Sequence, residues 1–492
     1  MCIRDRSLYS GCTVSVKVNG RTGKSLPSQS GVKQGCPLSP TLFGLFADGL
    51  HRFLRSHCPA DGVLLPSGDR LRELGYADDF VLLSSSGEGL QRLIGATSAW
   101  CTVTGMSISQ AKSRVMVFGL HNITTSGGTA VEIRCEGQVL QCVSSFVYLG
   151  VLFESRAGVR GTFDHLHQRM WGAFALIQRQ YGKLSCPPAV GLLLDLYNAC
   201  VPPAGSYGCE VWGFLPCSTD AARARAQLST THCQMLKQIA GLRSTVCTNI
   251  LFRELGVPPL EYMWWKRVVR FWNSLASLPP SSLYYQVALH NCQSAVLGGV
   301  RNWAHGFMFG LRRIGFPFDI RCDKLNVVDW GTVRCCLVAQ QRAVWHGLHV
   351  SPRLCPSAGA QRCTYLRWFA RPLDQSRRIP LVRLPVGARV LRAFLRFRTG
   401  CHDLPVALGR RTGVPRSQRL CTHCSSHDIG DEYHLVFSCS AVQHIRDRYP
   451  GLFRPTVSTM VEFLWQDDLV SVVRFVVECL DVLQAASSSN QP

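Results

Sequence analysis

Two adjacent carboxylates, Asp78 and Asp79, stand between apolar runs in Leu71 to Ser84, the pattern of two short strands folded about Ala77-Asp78 with the acids at the tip. Like charges held side by side repel unless cations neutralise them. Two divalent cations roughly 4 Å apart on such a pair would serve nucleotidyl transfer, one at an attacking 3′ oxygen and one at a leaving pyrophosphate. Asp is also common in turns for local hydrogen-bonding reasons, so the pair alone does not separate a metal site from a turn. A second constellation, Cys421-x2-Cys424-x9-His434-x4-Cys439, has the ligand types and spacing of a tetrahedral structural site. Its soft thiolates predict one structural Zn2+. His423 and His427 are nearby competitors for the histidine position, and a buried cysteine pair without metal is the bland alternative.

The elements that must hold these residues are legible in part. Gly31 to Leu42 reads as a loop that feeds a core-facing helix from near Ser39, carrying Leu42, Phe43, Leu45, Phe46, Leu50, Phe53 and Leu54 at helical spacing. The Asp78-Asp79 hairpin follows, its second strand being Phe80 to Leu83. Next come an amphipathic helix through Leu90, Leu93, Ile94, Thr97 and Trp100, a turn at Gly105, and a β-branched strand from Arg114 to Phe118. No strand pattern shows in the thirty residues before Gly31, whose one acid is Asp5. The order of helix, hairpin, helix and strand predicts an α+β fold. Past a polar break at Gly119 to Gly128, strands are predicted around Val131 to Arg134 and Phe146 to Phe153. Phe163 to Ser277 reads as helical, punctuated by Pro187-Pro188, Pro202-Pro203 and Pro258-Pro259. Leu278 to Ala370 is mixed or helical, and Leu480 to Pro492 a frayed tail.

The 492 residues carry 53 Lys+Arg against 31 Asp+Glu, a formal charge of +22, which suits a polyanionic partner. Only eight of the 53 are lysines, and the arginine fork grips phosphate bidentately. Eleven arginines and one acid, Asp403, lie between Arg377 and Arg419; a solvated basic face is the alternative reading of that run. The 24 cysteines are scattered, and Met1 to Arg6 has no apolar signal region. The most apolar stretch, Val470 to Leu483, is broken by Arg474, Glu478 and Asp481 and is no membrane span. The expected setting is therefore intracellular and reducing.

Four blocks around the acidic pair bear a resemblance. Ser30-Gly31-Val32-Lys33-Gln34-Gly35-Cys36-Pro37-Leu38-Ser39-Pro40-Thr41-Leu42-Phe43, then Tyr76 to Asp79, then Gly105 to Ile108 with Lys112 to Phe118, then Phe146-Val147-Tyr148-Leu149-Gly150 resemble, in order, motifs of the reverse transcriptases of non-LTR retrotransposons. Phe397 to Gly400, Gly413 to Arg416 and Arg419 to Cys421, continued by Asp431 to His434 and Cys439, are similar to the segment that enters the C-terminal zinc knuckle of that family.

The resemblance implies an RNA-directed DNA polymerase acting by a two-metal mechanism on RNA template, DNA primer or target, and deoxynucleoside triphosphates. Asp78 and Asp79 would be the catalytic ligands of two Mg2+. Gln34, Gly35 and Tyr76 would lie along template and incoming nucleotide, and Tyr148, Leu149 and Gly150 in the primer grip. Lys112 would be a general acid near the pyrophosphate, or a solvated lysine at a strand end. It further implies a partial palm in residues 1–120, the end of the palm and primer grip in 121–160, and a helical thumb-like domain in 161–277. A mixed or helical linker domain in 278–376, the Arg-rich segment with its CCHC knuckle in 377–450, and a C-terminal helix and tail in 451–492 would complete the chain. A protein of this kind would work in the nucleus after a cytoplasmic ribonucleoprotein stage. The family's third carboxylate and the fingers region have no counterpart before Gly31, and Asp48 falls on the helix, so the sequence reads as N-terminally truncated and little polymerase activity is expected of this polypeptide alone. A non-catalytic nucleic-acid-binding remnant is the competing reading.

Overall fold

The computed structural model describes residues 11–27, 31–33, 35–118, 132–155, 159–182, 188–317, 323–350, Tyr365, Trp368, Phe369 and 381–489. The Gly119 to Gly128 break, Val131 and Gln34 lie outside them. The mixed α and β chain divides into two compact units, Met1–Val147 with Glu154–Ala157, and Tyr148–Phe153 with Gly158–Pro492.

In the first unit the expectation of a strandless start is corrected. Thr13–Val14 pairs with Leu26–Pro27, and Lys17–Val18 pairs with Arg21–Thr22. The overlooked signal is Asn19-Gly20 after alternating valines; both residues take positive φ, 49° and 81°, the conformation a two-residue hairpin turn requires. The helix Ser39–His57 begins where predicted, but its buried face is narrower than predicted: Leu50 and Leu54 are buried, while Leu45 and Phe46 are exposed. The helix Gly87–Thr104 is set by Ser86, whose hydroxyl accepts from the Gly89 amide, and by Gly105 at φ 73°. Its Leu93, Trp100 and Cys101 pack on Leu50 and Leu54, with Phe80 and Leu82 of the hairpin against the same core. The predicted strand from Arg114 to Phe118 forms only one bridge, Val115 to Cys142 in parallel. Strands run instead at Arg134–Cys135 and Gln138–Val139, turned about Glu136 and Gly137, both at positive φ.

In the second unit the described residues are almost entirely helical. Arg160–Tyr181, Val190–Ala204 and Thr219–Ala240 share one core around Phe163, Met170, Phe174, Tyr197, Leu228 and Met235. Pro202 and Pro203 end a helix from within its last turn, and Pro259 caps Leu260–Ala276. The region from Leu278 resolves as Leu283–Val296, Trp303–Arg313 and Trp330–Val350, packed on Trp265 and Trp272. The expected frayed tail is corrected as well: Leu469–Ser489 is one helix, and Val472, Val473, Phe475, Val476 and Cys479 are buried in the C-terminal core. An apolar stripe that finds a core outweighs the poor propensity of its terminal serines. Among the described residues no helix is long and apolar enough to cross a membrane.

A buried charge ties two helices of this unit. Arg398, at the end of Ala388–Arg398, gives Nε to Glu254 Oε2 at 2.6 Å and Nη2 to Oε1 at 3.0 Å, with side chains 2% and 0% exposed. Tyr365 donates its hydroxyl to the same carboxylate. Burial opposes the guanidinium's charge, but Glu254 outweighs it and holds Arg398 above its ordinary value. Glu254→Ala leaves that charge unpaired in a dry core and is expected to destabilise the second unit by about 3–5 kcal/mol, read as a lower denaturation midpoint; an unchanged midpoint would contradict the account.

Candidate functional site

The acidic hairpin is built from Glu73–Tyr76 and Asp79–Leu82 in antiparallel register, Tyr76 opposite Asp79 and Gly75 opposite Phe80. Ala77 and Asp78 form the turn, with Ala77 at φ 53°. Gly75 has a steric reason: a β-carbon there would stand 2.9 Å from the Phe80 ring. The hairpin is moored at its base. His51 Nδ1 and Glu73 Oε1 are 2.5 Å apart, and the buried Arg72 donates to the carbonyls of Cys58 and Pro59 where helix Ser39–His57 ends. Tyr76, Asp78 and Asp79 are exposed. Among the described residues neither Asp forms an ion pair, so the adjacent like charges have the donor chemistry to take divalent cations.

The other expected residues fall as follows. Gly35 is exposed at φ 82°, a backbone that favours glycine, and the Ser39 hydroxyl donates to Lys33 O at 2.7 Å across the same loop. Lys112 is exposed in a turn, its amide on Ser109 O at 3.1 Å. Asp48 pairs with Arg52 on the exposed face of its helix, as expected. All of these belong to the first unit; Tyr148, Leu149 and Gly150 belong to the second.

There the turn Leu149-Gly150, at φ 47° and 76°, is held by residues that sequence reasoning did not assign a role. The Tyr207 hydroxyl donates to Leu149 O at 2.6 Å, and Arg169 Nη1 to Gly150 O at 3.3 Å, the guanidinium lying 5.1 Å from the Tyr207 ring centroid. Tyr207 lies 58 residues beyond Leu149, and nothing in the sequence spacing connects the two.

The cysteine and histidine ligands converge. The donor atoms of Cys421, Cys424, His434 and Cys439 all lie within 4.8 Å of one another. Cys421 Sγ and Cys439 Sγ are 3.9 Å apart, and Cys424 Sγ and His434 Nε2 3.2 Å. A tetrahedron with bonds of ~2.3 Å requires sulfur separations of ~3.8 Å, so the residues fit zinc. His423 and His427 are outside the cluster. The scaffold is local: Leu420 bridges Ile429, the Cys421 amide donates to Asp428 O, and Gly430 is so close to Pro405 and Cys421 that a β-carbon would clash. Asp431 Oδ1 accepts the His434 amide at 3.0 Å, while its other oxygen takes Arg416 Nη2 at 2.8 Å. Asp428 Oδ2 stands 3.6 Å from His434 Nδ1, beyond hydrogen-bond length. Burial pushes the Cys439 thiol up to about 12; at Cys424 burial also pushes up, but hydrogen bonds from Ser426, Cys421 and His434 outweigh it and bring the thiol down to about 6.

Comparison with known proteins agrees with this geometry. Residues 3–153 match the family of reverse transcriptase (RNA-dependent DNA polymerase). Over that segment the chain is similar to reverse transcriptases, and the relatives it matches are polymerases and Pol polyproteins of transposable elements. It is 24% identical over 258 residues to the RNA-directed DNA polymerase from mobile element jockey of Drosophila melanogaster, covering 50% of this chain and 26% of that one. It is 27% identical over 159 residues to a Pol polyprotein from the type-1 retrotransposable element R2 of Popillia japonica, 31% of this chain and 25% of that one. With the probable RNA-directed DNA polymerase from transposon BS of Drosophila melanogaster it shares 28% over 209 residues, 40% of this chain and 21% of that one. The chain thus spans about a quarter of the length of these relatives.

Tyr207→Phe removes the hydroxyl that holds Leu149 O. Hydrogen–deuterium exchange across residues 146–153 is expected to quicken about fivefold, equivalent to about 1 kcal/mol, with the rest of the unit unaffected; identical exchange would show that Tyr207 does not hold the turn.

Proposed function

We propose that this chain is the polymerase part of a non-LTR retrotransposon protein and that it serves RNA-directed DNA synthesis. The observation that carries the reading is the Tyr76 to Asp79 hairpin, with two adjacent exposed acids at its tip, inside the segment that matches reverse transcriptases. Residues 1–160 would form a palm and primer grip, and 161–277 a helical thumb. Two Mg2+ ions, when bound, supply charge stabilisation at the transferred phosphoryl group. The protein's own part is positional. Asp78 and Asp79 would hold the ions, the loop at Gln34 and Gly35 would face template and nucleotide, and the Leu149-Gly150 turn, fixed by Tyr207 and Arg169, would steady the primer. Lys112, exposed and near no described acid partner, would be available to protonate the leaving group. Substrates would be an RNA template, a DNA primer and deoxynucleoside triphosphates. Work on a DNA target implies a nuclear site of action after a cytoplasmic ribonucleoprotein stage.

Primer extension on an RNA template with Mg2+ should yield product that Asp78→Ala/Asp79→Ala abolishes; product that survives the double substitution would overturn the reading.

A second reading, nucleic-acid binding without catalysis, is favoured by the four convergent ligands at the C-terminal end. There we assign one structural Zn2+ to Cys421, Cys424, His434 and Cys439. Elemental analysis of the purified chain should find about one zinc per molecule, lost in Cys421→Ser with a lowered thermal midpoint; a metal-free chain with an unaltered midpoint would contradict the assignment.

A further inference from the structure

A basic cleft in the second unit is lined by residues of neither site. Two turns form it: the one after helix Thr219–Ala240, which runs from Gly241 to Val246, and the one after helix Ala388–Arg398, which runs from Thr399 to Asp403. Each turn is gripped by cations through its carbonyl oxygens. Arg396 Nε donates to Gly241 O at 2.8 Å and Lys237 Nζ to Ser244 O at 2.6 Å; Arg410 Nη2 donates to Gly400 O at 2.7 Å and Arg411 Nη2 to His402 O at 2.5 Å. Between them is an open cleft of about 470 Å3 lined by Arg243, Ser244, Thr245, Gly400, Cys401 and Arg411. That volume falls in the ~300–1,000 Å3 range of ligand clefts.

At its mouth a single carboxylate oxygen bridges two guanidiniums. Asp403 Oδ1 stands 3.3 Å from Arg243 Nη2 and 3.1 Å from Arg411 Nη1, and its side chain is 62% exposed. Glu432 acts on Arg410 through its charge and is buried against His402 at 2.8 Å. Burial holds Lys237 and Arg410 below their ordinary values.

We propose that this cleft binds a phosphodiester of a nucleic-acid strand, with Arg243 and Arg411 taking the phosphate oxygens whose place Asp403 holds in the free protein. The guanidinium fork suits a phosphate, and the hydroxyls of Ser244 and Thr245 add donors beside it. No aromatic ring lines the cleft, so it grips backbone and not base, and binding is independent of sequence. The inference rests on reading the chain as a nucleic-acid protein and extends it to a site that is neither hairpin nor knuckle.

The test is fluorescence anisotropy of the full chain with a labelled single-stranded RNA across a salt series. Arg243→Gln/Arg411→Gln is expected to weaken binding about tenfold, and to reduce the slope of log K against log salt by about 0.7, the value for one phosphate contact of a single strand. Asp403→Asn, which removes the competing carboxylate, is expected to tighten binding, while Arg223→Gln on an exposed helix face is expected to change neither quantity. Unfolding midpoints of all variants accompany the measurement, and only variants with the wild-type midpoint are compared; Asp403→Asn keeps the proposal open to refutation if the double variant misfolds. Unchanged affinity and slope in the double variant, or weaker binding in Asp403→Asn, would overturn the proposal. Inorganic pyrophosphate that displaces the RNA from wild type but not from the double variant at equal phosphate concentration would make the cleft a free-phosphate site and overturn the assignment to a strand. Extension and binding are read in separate assays, so wild-type extension with an unresponsive salt slope refutes the cleft alone, and a responsive slope without extension refutes the polymerase reading alone.

Discussion

Arg398 carries a charge that its surroundings would expel if Glu254 did not meet it with both carboxylate oxygens. The rings of Phe369, Phe394 and Trp465 stand 5.3, 5.9 and 5.7 Å from the guanidinium, cation–π contacts that assist the carboxylate without replacing it. The consequence is geometric. Helix Ala388–Arg398 can take only the rotation and depth that bring Arg398 to helix Thr248–Leu255, and with that fixed its other residues are placed. Leu391 and Leu395 enter the core of the three-helix group, while Phe394 and Phe397 enter the core beneath the cysteine ligands. Arg392 and Arg396 then reach the carbonyls of Ile239 and Gly241 at the C-terminal end of Thr219–Ala240, where positive charge suits the helix dipole. One eleven-residue helix thereby sets the bundle, the basic cleft and the floor of the metal-ligand cluster.

What the sequence reveals of this arrangement depends on how far apart the deciding contacts lie. The acidic hairpin and its flanking helices are legible because period and turn chemistry act within ten to twenty residues, and the structure puts their boundaries within a residue or two of expectation. The Cys421 to Cys439 ligands converge within nineteen residues, held by local bridges at Leu420 and Gly430. By contrast, Arg114 to Phe118 has β-branched residues yet forms one bridge, since a strand needs a partner and its neighbour at Cys142 meets it only at Val115. The terminal serines suggested fraying, whereas the apolar stripe before them had a core to enter. The Asn19-Gly20 hairpin was visible and overlooked.

The catalytic assignment and the ligand cluster differ in the same respect. Cys421, Cys424, His434 and Cys439 all come from one nineteen-residue segment, supported from outside by Pro405 and Arg416. The polymerase reading draws on Gly35, Asp78, Asp79 and Lys112 from one unit and on Tyr148 to Gly150 from the other, so it depends on how residues distant in the chain cooperate. Tyr207 and Arg169 illustrate this dependence. Their role is to fix a left-handed turn at Leu149-Gly150, and no spacing rule connects them to it.

Net charge is a poor measure of where a polyanion would sit, because a folded protein uses much of its charge internally. Of the arginines between Arg377 and Arg419, Arg383 is paired with Asp195, Arg389 with Asp481, Arg398 with Glu254 and Arg416 with Asp431. Arg392, Arg410 and Arg419 donate to backbone carbonyls. A run that reads in sequence as a continuous basic track is, in the folded chain, mostly structural scaffolding. Field strength survives where cations outnumber the acids they face and water still reaches them. Arg243 and Arg411 meet that condition. They share one exposed carboxylate oxygen, and they come from segments 160 residues apart and 8 residues apart from Asp403 respectively. A binding surface in such a protein is therefore a property of the fold, created where two turns bring unlike parts of the chain together, and it cannot be located by counting charges along the sequence.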